Sequence, residues 1–439
     1  MVQKIKGTED LLADKMPTWH YVEDTARTIF EAYNFKEMRT PMIENFELFS
    51  RSVGESTDIV SKEMYDFEDK GGRRIALRPE GTAPVVRAFV EHKLFGPEYP
   101  QPYKAYYIGP MFRYERPQAG RQRQFHQIGM EVFGSSNPAT DAEGIAMAWD
   151  LLSELGLENL TIHLNSLGKT PERMAYRQAL IDYFTPHLAE LSEDSQRRLH
   201  DNPLRVLDSK DPKDKVFVKD APTILDYLSE ESKAHFQAVQ NYLTDLEIPF
   251  QINPYVVRGL DYYQDTIFEI MVEDESIGAQ STVAGGGRYD GLVQELGGPE
   301  VPGFGFALGV ERLILVMEHQ AVEIPAEDGL DLFVLLADPE ANSLALQVLQ
   351  AARQDGLIAD RDFMNRSLKS QFKTAAKNNA SLVTTLGGDE VASKMIRLKN
   401  QETGKEAEFS LDELIEDFAG IYRQMTMDTS AIDDFFKGV

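Results

Sequence analysis

AYYIGPMFRYERPQAGRQRQFHQIGMEVFG, residues 105–134, reads as two strands joined by a basic loop. Side chains alternate faces along a strand, so these residues sort into two sets. Arg113 and Glu115 share a face on the first strand, and Gln127, Gly129 and Glu131 share one on the second; His126, Ile128, Met130 and Val132 take the other side. A carboxylate, an amide, an arginine and a small glycine on one face fit a polar ligand site floored by a rigid scaffold. A solvated sheet face has the same composition. In the loop, Arg121 and Arg123 are suited to gripping phosphates through forked hydrogen bonds, and Phe125 offers a flat surface to a base. An ordinary surface loop would also accommodate them.

Outward from the hairpin, Trp19, Val22, Ala26, Ile29, Phe30 and Tyr33 recur at helical spacing and predict an amphipathic helix. Thr266 to Val272, Ser281 to Gly285 and Phe304 to Leu308 predict further strands, the last running into a helix at Val310 to His319. Strands joined in this way indicate an antiparallel sheet. Between them, Pro171 to Leu246 is polar and mostly helical, too charged around LSEDSQRRLHDNPLRVLDSKDPKDK for a sheet core, and reads as an insertion. After the acidic connector AVEIPAEDG the pattern changes. DLFVLLAD, GLIADRD and SLVTTLG alternate with helices at Ser343 to Gln354 and Leu368 to Lys377, as in a small parallel or mixed sheet. The expected class is α+β, an antiparallel sheet with flanking helices, followed by a small α/β domain. The expected bounds are 1–320 with the insertion at about 171–246, a linker at 321–329, a second domain at 330–426 and a tail at 427–439.

At 439 residues, two or three cores are affordable. No apolar run approaches the ~20 residues of a membrane span, and the charged N-terminus MVQKIKGTEDLLADKMP lacks a signal peptide's apolar stretch. A soluble, cytoplasmic protein is expected. The absence of cysteine excludes disulfides, thiolate catalysis and cysteine-ligated metal, and the eight histidines show no metal-ligand spacing. The net charge of -27 argues against a polyanionic partner. Two segments run against it: Arg113 to Arg123, with four arginines against one glutamate, and Arg361 to Lys399, with eight basic residues against three acidic. These local patches leave RNA steering open, as they do a merely solvated surface.

The usual phosphate loops fail. Gly168-Lys169-Thr170 lacks the glycine a P-loop needs at His163. Gly303, Gly305 and Gly309 put Leu308 where the dinucleotide fingerprint needs its third glycine. Gly285-Gly286-Gly287 has neither spacing and reads more readily as a tight turn than as a ligand loop.

The hairpin nevertheless resembles motif 2 of class II aminoacyl-tRNA synthetases, with FRYE, a basic loop and RQFHQ. Arg39-Thr40-Pro41 resembles motif 1, the unit at the class II dimer interface, and GFGFALGVERL resembles motif 3 with Arg312 as its arginine. VRGLDYY at Val257 to Tyr263 and AGGGRYDGLV at Ala284 to Val293 are similar to the two signatures of the histidyl-tRNA synthetase family. LRPEGT at Leu77 to Thr82 agrees as well, and the resemblance runs from KGTEDLL to NRSLKSQFKTA, nearly the whole chain.

That resemblance implies ATP-dependent activation of L-histidine and its transfer to tRNA(His), in a homodimer. It implies that Glu80, Thr82 and Gln127 hold the α-amino end, while Glu131 and Tyr263 bond the two imidazole nitrogens and Tyr262 and Tyr289 complete the wall. The same tyrosines could equally be core residues. A carboxylate opposite a hydroxyl suits a ring that donates and accepts. By the same resemblance Arg113 and Arg258 would grip the α-phosphate and carboxylate as the catalytic pair. Arg312 and Arg121 would take the outer phosphates, bridged by Mg2+ without a protein-ligated metal. Glu115 would bind the adenine amino group and Phe125 the adenine face. Arg116, Gln118 and Arg123 in the motif 2 loop would contact the RNA. In the second domain, Arg366, Lys369, Lys373 and Lys377 step by three, four and four, forming a basic stripe with Leu368, Phe372, Ala375 and Ala376 turned elsewhere. The family carries its anticodon-binding domain there. The rival reading is a histidine-binding paralogue that serves as regulatory subunit of ATP phosphoribosyltransferase. Such paralogues typically lack the last domain and keep the catalytic arginine motif poorly, whereas both Arg258 and the last hundred residues are present here.

Overall fold

A computed structural model describes all residues except 55–56, 202, 208, 210, 274–281, 326–328 and 428–439; the side chain of residue 201 is likewise undescribed. Ser281, part of the 321–329 connector and nearly all of the 427–439 tail therefore lie outside the described residues. The chain divides into two compact units, Met1–Pro325 and Ala326–Val439.

The first unit contains β1 (Lys36–Glu37), β2 (Ile43–Asn45), β3 (Asp66–Glu68), β4 (Arg74–Leu77), β5 (Tyr103–Phe112), β6 (Gln124–Phe133), β7 (Leu160–Ser166), β8 (Phe250–Ile252), β9 (Gln264–Val272), β10 (Thr282–Arg288) and β11 (Gly303–Gly309). Eight of them form one sheet in the order β1-β5-β6-β11-β10-β9-β7-β8. The inner pairs are antiparallel, and only the edge strands β1 and β8 pair in parallel. Strands β2, β4 and β3 make a separate small antiparallel sheet.

Alternation gives the large sheet one apolar face. Ile128, Met130 and Val132 of β6, Phe304, Phe306 and Leu308 of β11, and Phe268 and Ile270 of β9 are buried in a single core. The helices Met16–Ala32, Pro138–Glu154, Glu230–Asp245 and Val310–His319 contribute to that core, the first through Trp19, Val22, Ala26 and Phe30. Helical spacing puts those four on one stripe, which buries against the sheet. The Glu230–Asp245 helix, at the end of the polar stretch between β7 and β8, thus belongs to the main core through Phe236, Val239 and Leu243. The preceding helices instead form their own core, centred on Tyr176, Leu180, Phe184, Leu199, Val206 and Ile224.

The second unit holds β12 (Leu332–Leu336), β13 (Ala359–Arg361), β14 (Leu382–Leu386), β15 (Met395–Asn400) and β16 (Glu406–Ser410), ordered β13-β12-β14-β15-β16. The first three strands are parallel; β15 and β16 return antiparallel. These last two strands and the Leu411–Thr426 helix extend the pattern beyond the elements expected from sequence. Met395–Asn400 alternates exposed and buried residues, the signature of a half-covered strand.

Candidate functional site

The other face of the large sheet is partly covered, with Tyr107, Met111, Phe133 and Ile267 packed with Val85, Val86 and Phe89 of the Thr82–Glu91 helix, and beside that core it is built from small residues. Across directly paired positions, Tyr107 faces Gly129, Gly129 faces Ala307, Ala307 faces Gly285, and Gly285 faces Glu269. The adjacent row runs Ala105, Glu131, Gly305, Gly287, Ile267. Three neighbouring strands therefore present little beyond backbone, leaving a trough walled by Tyr107, Glu131 and Glu269. The glycines are sterically required. A Cβ on Gly305 would lie 1.8 Å from Glu131 Oε2, and one on Gly285 would lie 2.5 Å from Arg258 Nη1. Gly285 to Gly287 are thus strand residues rather than the tight turn that composition favoured: Gly285 admits Arg258, while Gly286 and Gly287 lie against the neighbouring strands at Gly305, Phe306, Thr266 and Ile267.

At one end of the trough the Glu131 carboxyl is 1 % exposed. One oxygen, Oε2, accepts from the Tyr289 hydroxyl, while the other has no partner. Burial, reinforced by nearby Glu80 and opposed by hydroxyl donors, pushes this carboxyl up to about 8. Tyr262 packs against Tyr263 and Tyr289 at ring separations of 4.7 and 5.7 Å, so the three tyrosines form one wall. Glu80 accepts the backbone N–H groups of Thr82 and Ala83, both at 2.8 Å, at the start of the Thr82–Glu91 helix. Burial raises the Glu80 carboxyl, and these two backbone donors oppose the shift. Gln127, on β6, leaves its buried Oε1 unpartnered.

Beside this wall lie the arginines. Arg258 is paired with Glu269 at 2.5 Å and sits 5.7 Å from the Tyr263 ring centroid. Arg113 donates from Nε to the Pro79 carbonyl at 2.9 Å, with its guanidinium 5.2 Å from the Phe125 ring centroid. Arg312 donates to the Thr282 carbonyl at 3.0 Å. Burial lowers its basicity; Arg121 and Arg113 add to the shift, and Glu115 and Glu269 oppose it. Mutual repulsion of this kind requires the guanidinium groups to share one region, and a polyanion would relieve it.

Sequence periodicity misplaces some of these groups. Strand β5 ends at Phe112, so Arg113 and Glu115 do not share a strand face. The Glu115 N–H turns back to the Arg113 carbonyl at 2.9 Å, and its carboxylate comes within 3.6 Å of Arg121. Arg116 and Gln118 are exposed on the loop. Arg123 is braced: its backbone N–H meets the Gly7 carbonyl at 2.7 Å, its Nε the Glu115 carbonyl at 3.3 Å, and its guanidinium the Tyr114 ring at 4.0 Å.

In the second unit, Lys369, Lys373 and Lys377 lie exposed on the Leu368–Lys377 helix. Arg366 does not belong to that helix; it precedes the N-cap Ser367 and pairs with Asp362 at 3.1 Å. Nor are Leu368 and Phe372 buried, being 37 % and 43 % exposed. The packed face is Gln371 and Ala375. Gln371 exchanges hydrogen bonds with the backbone of Leu336, closing the end of β12, which explains how an amide takes the position expected of an apolar residue.

Two residues of the trough escaped the sequence reading. Tyr107 is buried with an unpartnered hydroxyl, and stepping back by two from Arg113 through Met111 and Gly109 reaches it. Glu269 lies on β9, and no local signal in the sequence connects it with Arg258.

An open antiparallel sheet, a hairpin with a basic loop, and arginines converging beside a polar trough together define the catalytic domain of a class II aminoacyl-tRNA synthetase. Comparison with known proteins narrows the class. Residues 7–313 match the family model described as histidyl-tRNA synthetase, and residues 321–420 match that of an anticodon binding domain. The chain is 57 % identical to the histidine–tRNA ligase of Streptococcus uberis over 97 % of its length and 99 % of that protein's. It is 56 % identical to the one from Streptococcus pneumoniae serotype 4, over 97 % and 98 %. The crystal structure of apo Staphylococcus aureus histidyl-tRNA synthetase superposes with a TM-score of 0.80 at 40 % identity, covering 95 % of this chain and all of that one. The chain belongs to the histidyl-tRNA synthetase family.

Proposed function

We propose that the protein activates L-histidine with ATP and transfers it to the 3'-terminal adenosine of tRNA(His). A histidine carboxylate oxygen attacks the α-phosphorus, the bond to the β-phosphate oxygen breaks, and pyrophosphate leaves. A terminal ribose hydroxyl then attacks the acyl carbon of the adenylate and AMP departs. The observation that carries this reading is a cluster of orphaned polar atoms. Tyr107 Oη, Gln127 Oε1, Glu131 Oε1 and Arg258 Nε are buried without a hydrogen-bond partner and border one trough. Buried polar groups are rarely left unpaired, so several in one place mark where a polar ligand completes them.

In this reading Glu131 and Tyr263 take the two imidazole nitrogens, with Tyr262 and Tyr289 fixing the wall. Glu80, Thr82 and Gln127 take the ammonium group; the two backbone bonds to Glu80 keep its carboxylate oriented. A substrate without a polar ring would leave these groups unpaired, which is the strongest form of rejection a pocket has. Arg113 and Arg258 meet the α-phosphate and carboxylate, Arg121 and Arg312 the outer phosphates, Phe125 the adenine face and Glu115 its amino group. Their charge counters what builds on the phosphoryl oxygens during attack. Among the described residues no three His, Asp or Glu side chains surround a common point. Mg2+ bound to the phosphates of ATP would neutralise part of their charge. The exposed lysines of the Leu368–Lys377 helix, together with Arg366, Arg116, Gln118 and Arg123, supply the RNA contacts. The exposed Met42 and Ile43, beside the Arg39-Thr40-Pro41 segment, support a homodimer built on that region. No helix of the described residues is long and apolar enough to cross a membrane, and we place the enzyme in the cytoplasm with its RNA.

The regulatory-subunit reading is not favoured. A Bacillus halodurans structure titled as an ATP phosphoribosyltransferase regulatory subunit/histidyl-tRNA synthetase shares the fold at 18 % identity and a TM-score of 0.64. The test is ATP–pyrophosphate exchange across a panel of amino acids, followed by aminoacylation of tRNA(His). Histidine alone should support exchange. Exchange with no amino acid, or with a different one, would overturn the proposal.

A further inference from the structure

The helices between β7 and β8 are not merely appended to the catalytic domain. Arg173 lies in the Thr170–Phe184 helix and donates from Nη1 to the Tyr263 carbonyl at 2.8 Å; both its Nη atoms also reach the Asp261 carbonyl at 3.4 Å. Arg205 lies in the short Leu204–Leu207 helix and donates from Nη2 to the Gly259 carbonyl at 2.9 Å. Tyr255, just before the same loop, donates its hydroxyl back to the Lys219 carbonyl at 3.0 Å. The loop they hold, residues 258–263, carries Arg258, Tyr262 and Tyr263.

The opposite side of this loop is also gripped. The Asp261 N–H reaches the Val53 carbonyl at 3.4 Å, and Gly54, at φ +98°, approaches so closely that a Cβ there would lie 2.5 Å from Asp261 Oδ2. Arg198 of the insertion meets Asp58 of that neighbouring segment at 3.4 Å. The bonds of both arginines to this loop go to backbone carbonyls, so they set the path of the chain rather than the position of one side chain. Guanidinium forks are suited to holding several carbonyls at once. The insertion has its own core and can therefore present these arginines as a preformed unit.

We propose that the insertion acts on amino-acid activation itself, with Arg205 and Arg173 as positioning residues that hold the 258–263 loop where Arg258 and Tyr263 face the trough. This rests on the histidine-activating reading above. Catalytic groups must be held to a fraction of an ångström, and that support comes from groups outside the reacting set.

The experiment is histidine-dependent ATP–pyrophosphate exchange without RNA, comparing the wild-type protein with R205A, R205K and R177A. Arg177 donates to the His200 carbonyl at 2.5 Å wholly within the insertion and serves as the control. Losing a charged donor to the loop should lower kcat/KM for histidine about tenfold. The expected pattern is a raised KM for histidine with a lowered kcat, since Arg258 moves with the loop, a smaller rise in KM for ATP, partial rescue by R205K, and wild-type values for R177A. A structural defect would instead lower the active fraction and leave both KM values alone. If the wild-type protein shows no exchange with histidine, the functional reading itself fails. If the wild-type exchanges and R205A matches it, the positioning role is overturned. Equal losses in R205A and R177A would overturn it too, as would a defect confined to aminoacylation of RNA.

Discussion

Gly305 and Phe306 are adjacent in β11 and face opposite sides of one sheet. Phe306 is buried in the helix-covered core, with the Phe30 and Phe268 rings each 6.3 Å away. Gly305 pairs with Glu131 across the trough and leaves room for its carboxylate. The core face is filled and its partners are complete, which stabilises the fold. On the trough face glycines make room for Glu131 and Arg258, and buried donors and acceptors are left unpartnered, which costs stability and creates a place for a ligand. Two neighbours thus show that stability and chemistry are sorted by strand parity rather than by region of the chain.

Substitutions at this pair should break the comparison most sharply. Gly305→Ala drives a methyl group into the Glu131 carboxyl and toward the Met130 carbonyl, so histidine-dependent exchange should be lost. Phe306→Leu should lower stability by about 1–2 kcal/mol in denaturant titrations and leave the histidine KM near wild type. Comparable histidine KM values for the two variants would refute the division of faces. Next in size, Arg258→Ala should reduce the adenylation rate by about a hundredfold or more in single-turnover measurements, the usual effect of removing one preorganised donor. Near-normal turnover would remove Arg258 from the catalytic set.

A third test uses the cost of burying Glu131. Its folded-state value of about 8 lies above the ordinary 4.5, so the folded protein resists ionising it. The penalty is absent below about 4.5, grows as pH rises toward about 8, and is constant above that. Glu131→Gln removes it and should raise Tm by several degrees at pH 8–9, with little change at pH 4.5, while activity falls. A Tm difference that does not vary with pH would contradict the assignment. The smallest effect is expected in the second unit. Lys369→Ala with Lys373→Ala should weaken RNA binding several-fold and flatten its salt dependence by about two phosphate contacts' worth. Adenylation should be untouched, and unchanged RNA affinity would argue against that helix as an RNA surface.

The hairpin was legible because its signal is local. The second strand forms at Gln124–Phe133, and Ile128, Met130 and Val132 separate from Gln127 and Glu131 by parity alone. Elsewhere the determining contacts are distant in sequence. Tyr107 was within reach of the same parity rule, but Glu269 becomes a partner of Arg258 only through the loop leading into β9. Gly285 to Gly287 read as a turn because glycine weakens an isolated strand, and only Arg258 over Gly285 and the close neighbouring strands at Gly286 and Gly287 explain why bare backbone is needed there. On the Leu368–Lys377 helix, apolar character does not mark the packed face: Gln371 is buried because it satisfies the Leu336 backbone, a role that periodicity does not register. Arg366 falls off the helical stripe, since Ser367 caps the helix after it.

Calorimetric titration of L-histidine into the wild-type protein and into Glu131→Ala tests the trough most directly. Saturable binding to the wild type and none detectable in the variant is the predicted result, with both proteins folded. Equal affinity of the two would show that the orphaned carboxyl does not receive histidine.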